Sequence, residues 1–243
     1  MANRERLTPS WQLTPREKMW IENFRAHETP ASLKLADDFV KLLNPNDEVL
    51  DIGCAFGRVA NFLSIRREVS VIGVDINMAE IEWAKESTSK VNKGTNFQEM
   101  NGTQLTFPEN KFDHVVMVGL LGGVELEVRE DLFKEAHRVV KPGGKIAVAE
   151  FKINLDDSEQ VKKYETDMAI TGEWGSRIVK KGPKILFIAK HFTENELKKM
   201  FLNAGFESIE LREQTIETEG IGDGIKKARQ QITVWGTKSP IGH

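Results

Sequence analysis

Val49-Leu50-Asp51-Ile52-Gly53-Cys54-Ala55-Phe56-Gly57 is an apolar run that stops abruptly in small residues and is followed by the helical-looking stretch beginning at Arg58. A buried strand feeding a loop of this kind brings backbone N–H groups close to a ligand, because Gly53 and Gly57 place no Cβ in the way and Cys54 and Ala55 add little bulk. Eighteen residues after Gly57, a second apolar run, Val71-Ile72-Gly73-Val74, ends in Asp75 followed by Ile76. An acid at the end of a second strand can accept hydrogen bonds from both hydroxyls of a ribose, so the pair of motifs implies a nucleoside. A dinucleotide is disfavoured, since Ala55 and Arg58 stand where the second and third glycines of that fingerprint belong.

Outward from this core the pattern repeats. Residues 48–52, 69–75, 112–118 and 145–151 read as strands, with helical stretches between them. Strands alternating with helices build crossover units, and these assemble a mostly parallel, doubly wound sheet covered on both faces. The expected fold class is therefore α/β. Two further strands, near 206–213 and 231–236, close the sheet after a helix opened by the capping box Thr193 and Glu196 and ended at Ala204-Gly205.

Two helices are expected before the first strand. Thr14-Pro15-Arg16-Glu17 announces one, and Thr29-Pro30 starts another that carries Leu33, Ala36, Phe39, Val40 and Leu43 at helical spacing. After Phe151 the alternation is interrupted for about forty residues, longer than ordinary connections. This stretch, 152–191, is expected to be an inserted cap. The chain is thus expected to form one domain: N-terminal helices at 1–45, a cofactor-binding half at 46–151, the cap at 152–191, and a closing helix with two strands at 192–238.

The motifs resemble those of the class I S-adenosylmethionine-dependent methyltransferases, a likeness running from about Asn46 to Lys238. Residues 51–57 are similar to the family's glycine loop, with Ala55 in place of a common glycine, and Asp75 to its ribose-binding acid. Phe107-Pro108-Glu109-Asn110-Lys111-Phe112-Asp113 resembles the entry to the fourth strand, Arg138 to Gly144 the turn before the fifth, and Phe192 to Phe206 the helix before the sixth. Taken singly each motif is ordinary; their order and spacing carry the likeness.

The resemblance implies a Rossmann-like seven-stranded sheet with S-adenosylmethionine as cofactor. It implies that Asn101 stands where an acid accepts from the adenine amino group, that Gly102 offers its N–H to the ring beside Thr103, and that Val118-Gly119 and Asp51 face the amino-acid end of the cofactor. Candidate cofactor residues are therefore Asp51, Gly53, Cys54, Ala55, Gly57, Asp75, Ile76, Asn101, Gly102, Thr103, Val118 and Gly119. Cys54 is expected to serve as a small residue and not as a nucleophile. His114 and His137 are expected to be structural. Trp20, Phe24, Tyr164, Trp174 and His191 are the candidates for contact with the methyl acceptor.

The chain of 243 residues is 40% hydrophobic and carries 34 Lys and Arg against 37 Asp and Glu, a formal net charge of -3. That balance lacks the basic footprint of a dedicated nucleic-acid binder and favours a small-molecule partner. A single cysteine rules out an intramolecular disulfide and fits a reducing cytoplasm, and neither a signal segment nor a membrane span is expected. No metal is expected: Gly119 to Gly123 occupy the place after the fourth strand where a metal-assisted transferase would carry a carboxylate, with Glu125 and Asp156-Asp157 the nearest acids. The rival readings are a methyltransferase acting on RNA or protein, a non-catalytic S-adenosylmethionine-binding subunit, and a nicotinamide-dependent oxidoreductase.

Overall fold

In the computed structural model the described residues are 14–16, 33–88, 94–219 and 226–240. The first strand, β1 (Glu48–Ile52), is buried over its last four residues and runs into the small-residue loop. Helix α2 (Arg58–Arg67) follows, then β2 (Ser70–Asp75), α3 (Met78–Thr88), β3 (Thr95–Glu99) and β4 (Phe112–Val118). Before them lies α1 (Asp37–Val40), and after them a single 3-10 turn (Leu121–Gly123), α4 (Leu126–Val139) and β5 (Val140–Phe151). The remaining elements are α5 (Ser158–Thr171), β6 (Ser176–Lys181), β7 (Lys184–Lys190), α6 (Glu194–Asn203), β8 (Phe206–Glu219) and β9 (Lys226–Lys238).

Seven strands form one sheet in the order β3-β2-β1-β4-β5-β9-β8. The first five are parallel and β9 is antiparallel to both of its neighbours. This is the doubly wound sheet the alternation predicts. Its two faces carry separate apolar layers: Leu50, Ile52, Val115, Leu132 and Phe133 belong to one, Phe39, Val49, Ala60, Leu63 and Trp235 to the other. The direction of winding reverses between β1 and β4, so their carboxyl ends part and leave a crevice, the place where open sheets of this type take ligands.

The N-terminal region differs from the expected helix over Thr29 to Leu43. Residues 33–35 are not helical, and Ala36 is extended at φ -63 and ψ 140, so α1 spans four residues only. Lys34 is the reason: its N–H and C=O bond to the Gln231 side chain at 3.2 and 2.7 Å, a strand-like pairing that satisfies the backbone without a helical turn. Leu33 and Leu35 are buried by this docking. Of the first expected helix, Pro15 and Arg16 are helical; the remainder, including Trp20 and Phe24, lies outside the described residues.

The inserted stretch is built from regular structure. Asp157 opens α5 by accepting the N–H groups of Glu159 and Gln160, and Gly172 closes it in a left-handed conformation. The β6-β7 hairpin forms its own two-stranded sheet, turning at Gly182 with φ +60. A bridge between Lys152 and Phe192 ties both ends of the insertion together, and β7 packs against the 3-10 turn. The cap therefore hangs from the carboxyl end of β5, beside the crevice.

Packing under the crevice leaves no slack. A Cβ at Gly73 in β2 would sit 2.7 Å from the Phe97 ring and 2.8 Å from the Cys54 sulfur. Gly73→Ala is expected to destabilise the protein by about 1–3 kcal/mol, the range for an extra methylene forced into a packed core. Urea unfolding checks this as a lower midpoint at unchanged slope.

Candidate functional site

The loop after β1 is held by Asp75, the last residue of β2. One carboxylate oxygen accepts the Ala55 N–H and the other the Asn77 N–H, each at 2.9 Å. One acid thus ties two loops. Gly53 and Gly57 have φ of 74 and 83, and Ala55 adopts φ 46, a left-handed conformation that an L side chain enters at a cost of about 1–2 kcal/mol. A Cβ at Gly53 would lie 2.8 Å from Leu120 across the crevice, so only glycine lets β1 and the turn after β4 approach this closely.

Between these ends lies a cavity enclosing, with its mouth, about 370 Å³. Six of the expected cofactor residues line it: Gly53, Asp75, Ile76, Asn101, Gly102 and Thr103. The other six, Asp51, Cys54, Ala55, Gly57, Val118 and Gly119, are not among the residues that line it. The opposite wall is apolar: Leu120, Val124, Val128 and Leu132 come from the turn after β4 and from α4. That wall was not among the expected residues; the spacing of Val128 and Leu132 on one helix face was its available signal.

Asn101 departs from its expected part. Its side-chain oxygen accepts both the Thr103 N–H and the Thr103 hydroxyl, at 2.9 Å each, which occupies both lone pairs of the only acceptor an amide has. The side-chain NH2 is what remains to face the cavity.

Asp51 is buried, and its Oδ2 has no hydrogen-bond partner among the described residues. Burial pushes its carboxyl up to about 7; the Arg58 charge opposes that shift and the Asp75 charge adds to it. A second buried acid, Glu150 near the end of β5, accepts the N–H groups of Leu121 at 2.6 Å and Gly122 at 3.4 Å. Burial pushes this carboxyl up to about 8 against those hydrogen bonds and the nearby Arg129. Cys54 is buried, and burial together with the Asp51 and Asp75 charges drives its thiol far from the ionised form, in keeping with a packing role.

The acceptor candidates in the cap are taken up by the cap itself. Tyr164 is fully buried, its hydroxyl 2.7 Å from His191 Nδ1 and its ring between Trp174 and the Arg177 guanidinium. Burial, with the charges of Arg177, Arg229 and Lys190, pushes His191 down to about 3, so it is neutral at physiological pH. Trp174 lines a separate, larger groove with Leu126, Phe133 and Met200, on the far side of α4 from the cofactor cavity. None of the three borders that cavity. His114 bonds to Asp47 at 3.2 Å and His137 stacks on Phe206, both away from the crevice. Among the described residues no group of acids, histidines and cysteine is arranged to hold a metal.

Residues 49–144 match the family described as a methyltransferase domain. The chain is 30% identical over 202 residues to demethylmenaquinone methyltransferase of Oceanobacillus iheyensis, covering 79% of this chain and 84% of that protein. It is 26% identical over 137 residues to phosphoethanolamine N-methyltransferase 3 of Arabidopsis thaliana, covering 56% of this chain and 27% of that one. The chain spans about a quarter to a third of the length of the plant phosphoethanolamine enzymes it matches. A solved S-adenosylmethionine-dependent methyltransferase of Methanosarcina mazei superposes with a TM-score of 0.75 at 29% identity, covering 85% of this chain and 99% of that one. With the sheet order, the glycine loop and Asp75 in place, the chain belongs to the class I S-adenosylmethionine-dependent methyltransferases.

Proposed function

We propose that this protein transfers the methyl group of S-adenosylmethionine to a small-molecule acceptor. The observation that carries the reading is the cavity at the β1-β4 switch point, where Gly53, Asp75 and residues 101–103 meet. These residues fit the cofactor. Asp75 lines the cavity with a carboxylate of the kind that accepts from ribose hydroxyls, the apolar wall of Leu120, Val128 and Leu132 suits a purine face, and Asp51 Oδ2 is a ready acceptor for an ammonium. The amino-acid end then lies toward Asp51 and Val118-Gly119.

When bound, the cofactor supplies a sulfonium-activated methyl group and departs as a neutral thioether. The chain's part is to hold the acceptor atom in line with that group and to exclude water, which needs no metal and needs a base only where the accepting atom carries a firmly held proton. A small acceptor is supported by the net charge of -3 and by relatives named for a demethylmenaquinone and phosphoethanolamine. No helix among the described residues is long and apolar enough to cross a membrane, and with the single buried thiol this supports work in the reducing cytoplasm. Incubation with methyl-labelled S-adenosylmethionine and fractionated metabolite extract, followed by mass spectrometry, tests the proposal. Label appearing only in protein or RNA would replace the acceptor class, and NADH binding tighter than either adenosyl compound would end the reading.

Three outcomes follow for the named residues. Asp75→Ala is expected to weaken S-adenosylhomocysteine binding by about 1.5–3 kcal/mol, and Asp75→Asn by less, in titration calorimetry of folded protein. Asn101→Asp is expected to tighten it, because a carboxylate can keep the Thr103 bonds on one oxygen and offer the other to the adenine amino group.

The third outcome concerns protons. With its carboxyl raised to about 7, Asp51 is largely protonated at pH 6, and an ammonium arriving beside it lowers that value. Binding at pH 6 therefore releases a proton, seen as a binding enthalpy that varies with the ionisation enthalpy of the buffer, and Asp51→Asn abolishes the variation. The sign in the free protein is opposite to that of an ion-paired acid. Asp51 contributes stability that is full below its ordinary pKa and is lost as pH rises toward about 7.

A further inference from the structure

We infer that Glu173, in the cap, is a positioning residue for the cofactor cavity: through Arg129 and Arg16 it holds the turn at residues 120–124, which brings Leu120 and Val124 to the cavity's apolar wall, so that seating the cap and binding the cofactor are one coupled equilibrium. This rests on the proposed reading of that cavity as the S-adenosylmethionine site.

The turn has little to fix it locally. It is a single 3-10 turn containing Gly122 and Gly123, with no side-chain cap. Its backbone is fixed from outside. Glu150 takes the Leu121 and Gly122 N–H groups from below. Arg129, which has no solvent exposure, donates Nε to the Leu121 carbonyl and Nη2 to the Val124 carbonyl, both at 2.7 Å. Arg16 reaches the same Val124 carbonyl at 3.2 Å and donates its backbone N–H to Glu125 at 3.1 Å.

Both guanidinium groups then converge on one carboxylate. Glu173 Oε1 accepts from Arg129 Nη1, and Oε2 accepts from Arg129 Nη2 at 3.2 Å and from Arg16 Nη2 at 3.1 Å. Burial disfavours the Glu173 charge, but the hydrogen bond and charge of Arg129, with Arg16 and Lys190, outweigh it and hold the carboxyl below its ordinary value. Among the described residues no other carboxylate forms an ion pair with the buried Arg129, so an unseated cap leaves that cation without its bonded partner. Three chain segments meet at this carboxylate: the N-terminal segment through Arg16, α4 through Arg129, and the cap. The cap also touches the turn directly, since a Cβ at Gly122 would sit 2.6 Å from the Lys190 carbonyl oxygen. Glu173, Arg129 and Arg16 all lie outside the lining of the cofactor cavity, whereas Leu120 and Val124 on the turn line it. Any influence of Glu173 on the cofactor therefore passes through the turn or through α4, whose Val128 and Leu132 also line the cavity.

Calorimetric titration with S-adenosylhomocysteine, on the full chain, tests this. Glu173→Ala is expected to weaken binding about tenfold, within the usual range of coupling between sites. Glu173→Gln is expected to lose less, because its amide oxygen still accepts from Arg129. Arg16→Ala loses less than Glu173→Ala, and the double variant binds no more weakly than Glu173→Ala alone. Coupling is reciprocal, so saturating S-adenosylhomocysteine should slow amide hydrogen exchange at residues 172–176 as well as at 120–125 in the unaltered protein, and the 172–176 effect should vanish in Arg16→Ala or Glu173→Gln. A folded Glu173→Ala that melts earlier yet binds equally well, or ligand protection confined to 120–125, overturns the inference and leaves Glu173 as a purely structural strut. Should Glu173→Ala fail to fold, the Glu173→Gln and Arg16→Ala affinities and the exchange pattern decide it. An unaltered protein that binds no S-adenosylhomocysteine would instead overturn the reading of the cavity, and this inference with it.

Discussion

Where β1 and β4 part, the backbone leaving each strand loses its ladder partners, and buried N–H and C=O groups must find others. Carboxylates supply them. Asp75 satisfies Ala55 and Asn77, Glu150 satisfies Leu121 and Gly122, and Glu173, by way of Arg129, steadies the donors to the Leu121 and Val124 carbonyls. The crevice stays open because acids brace its rims. Apolar side chains could fill the same space but would leave those backbone groups unpaired, at several kcal/mol for the set.

Bracing by acids sets the electrostatics of the site. Asp51, Asp75, Glu150 and Glu173 gather around one end of the sheet, and two of them, Asp51 and Glu150, are buried deeply enough that their carboxyls rise to about 7 and about 8. Arg129 and Arg16 answer Glu173, and Arg58 answers Asp51 in part. Asp51 Oδ2 is left with no partner among the described residues. A buried carboxylate oxygen in that condition is a standing attraction for a cation, and the same desolvation that raises its pKa makes a well-placed positive group worth more there than in water.

Much of this was legible in the chain. Strand and helix periods, the small-residue loop at 53–57, the acid ending β2 and the Thr193-Glu196 capping box are local signals, and each appears where the residues place it. The parts that were hidden depend on contacts across long sequence separations. The segment at 33–36 reads as helix until the Gln231 amide, almost two hundred residues away, supplies a strand-like partner. The β6-β7 hairpin is marked by little more than Gly182-Pro183, since its strands pair chiefly with each other. Glu150 and Glu173 look like ordinary charged residues, and only the fold brings them to Leu121 and Arg129. Tyr164 and His191 show a further limit: aromatics in an insertion beside a cleft invite an acceptor role, and the sequence carries no sign that these two side chains pack against each other inside the insertion.

The two walls of the cavity therefore rest on different kinds of support. The glycine loop is set by backbone conformation, with three consecutive odd positions, 53, 55 and 57, all at positive φ, and by an Asp75 bond that spans adjacent strands. Such a wall has one arrangement and departs from it only by unfolding locally. The apolar wall rides on a turn with two glycines and no cap of its own, and its geometry is borrowed from Arg129, the cap and the N-terminal segment. A transferase must admit two ligands and exclude water before it reacts. The Asp75 side of the cavity therefore keeps its register, while the position of the apolar side depends on how Arg129, Arg16 and Glu173 are engaged.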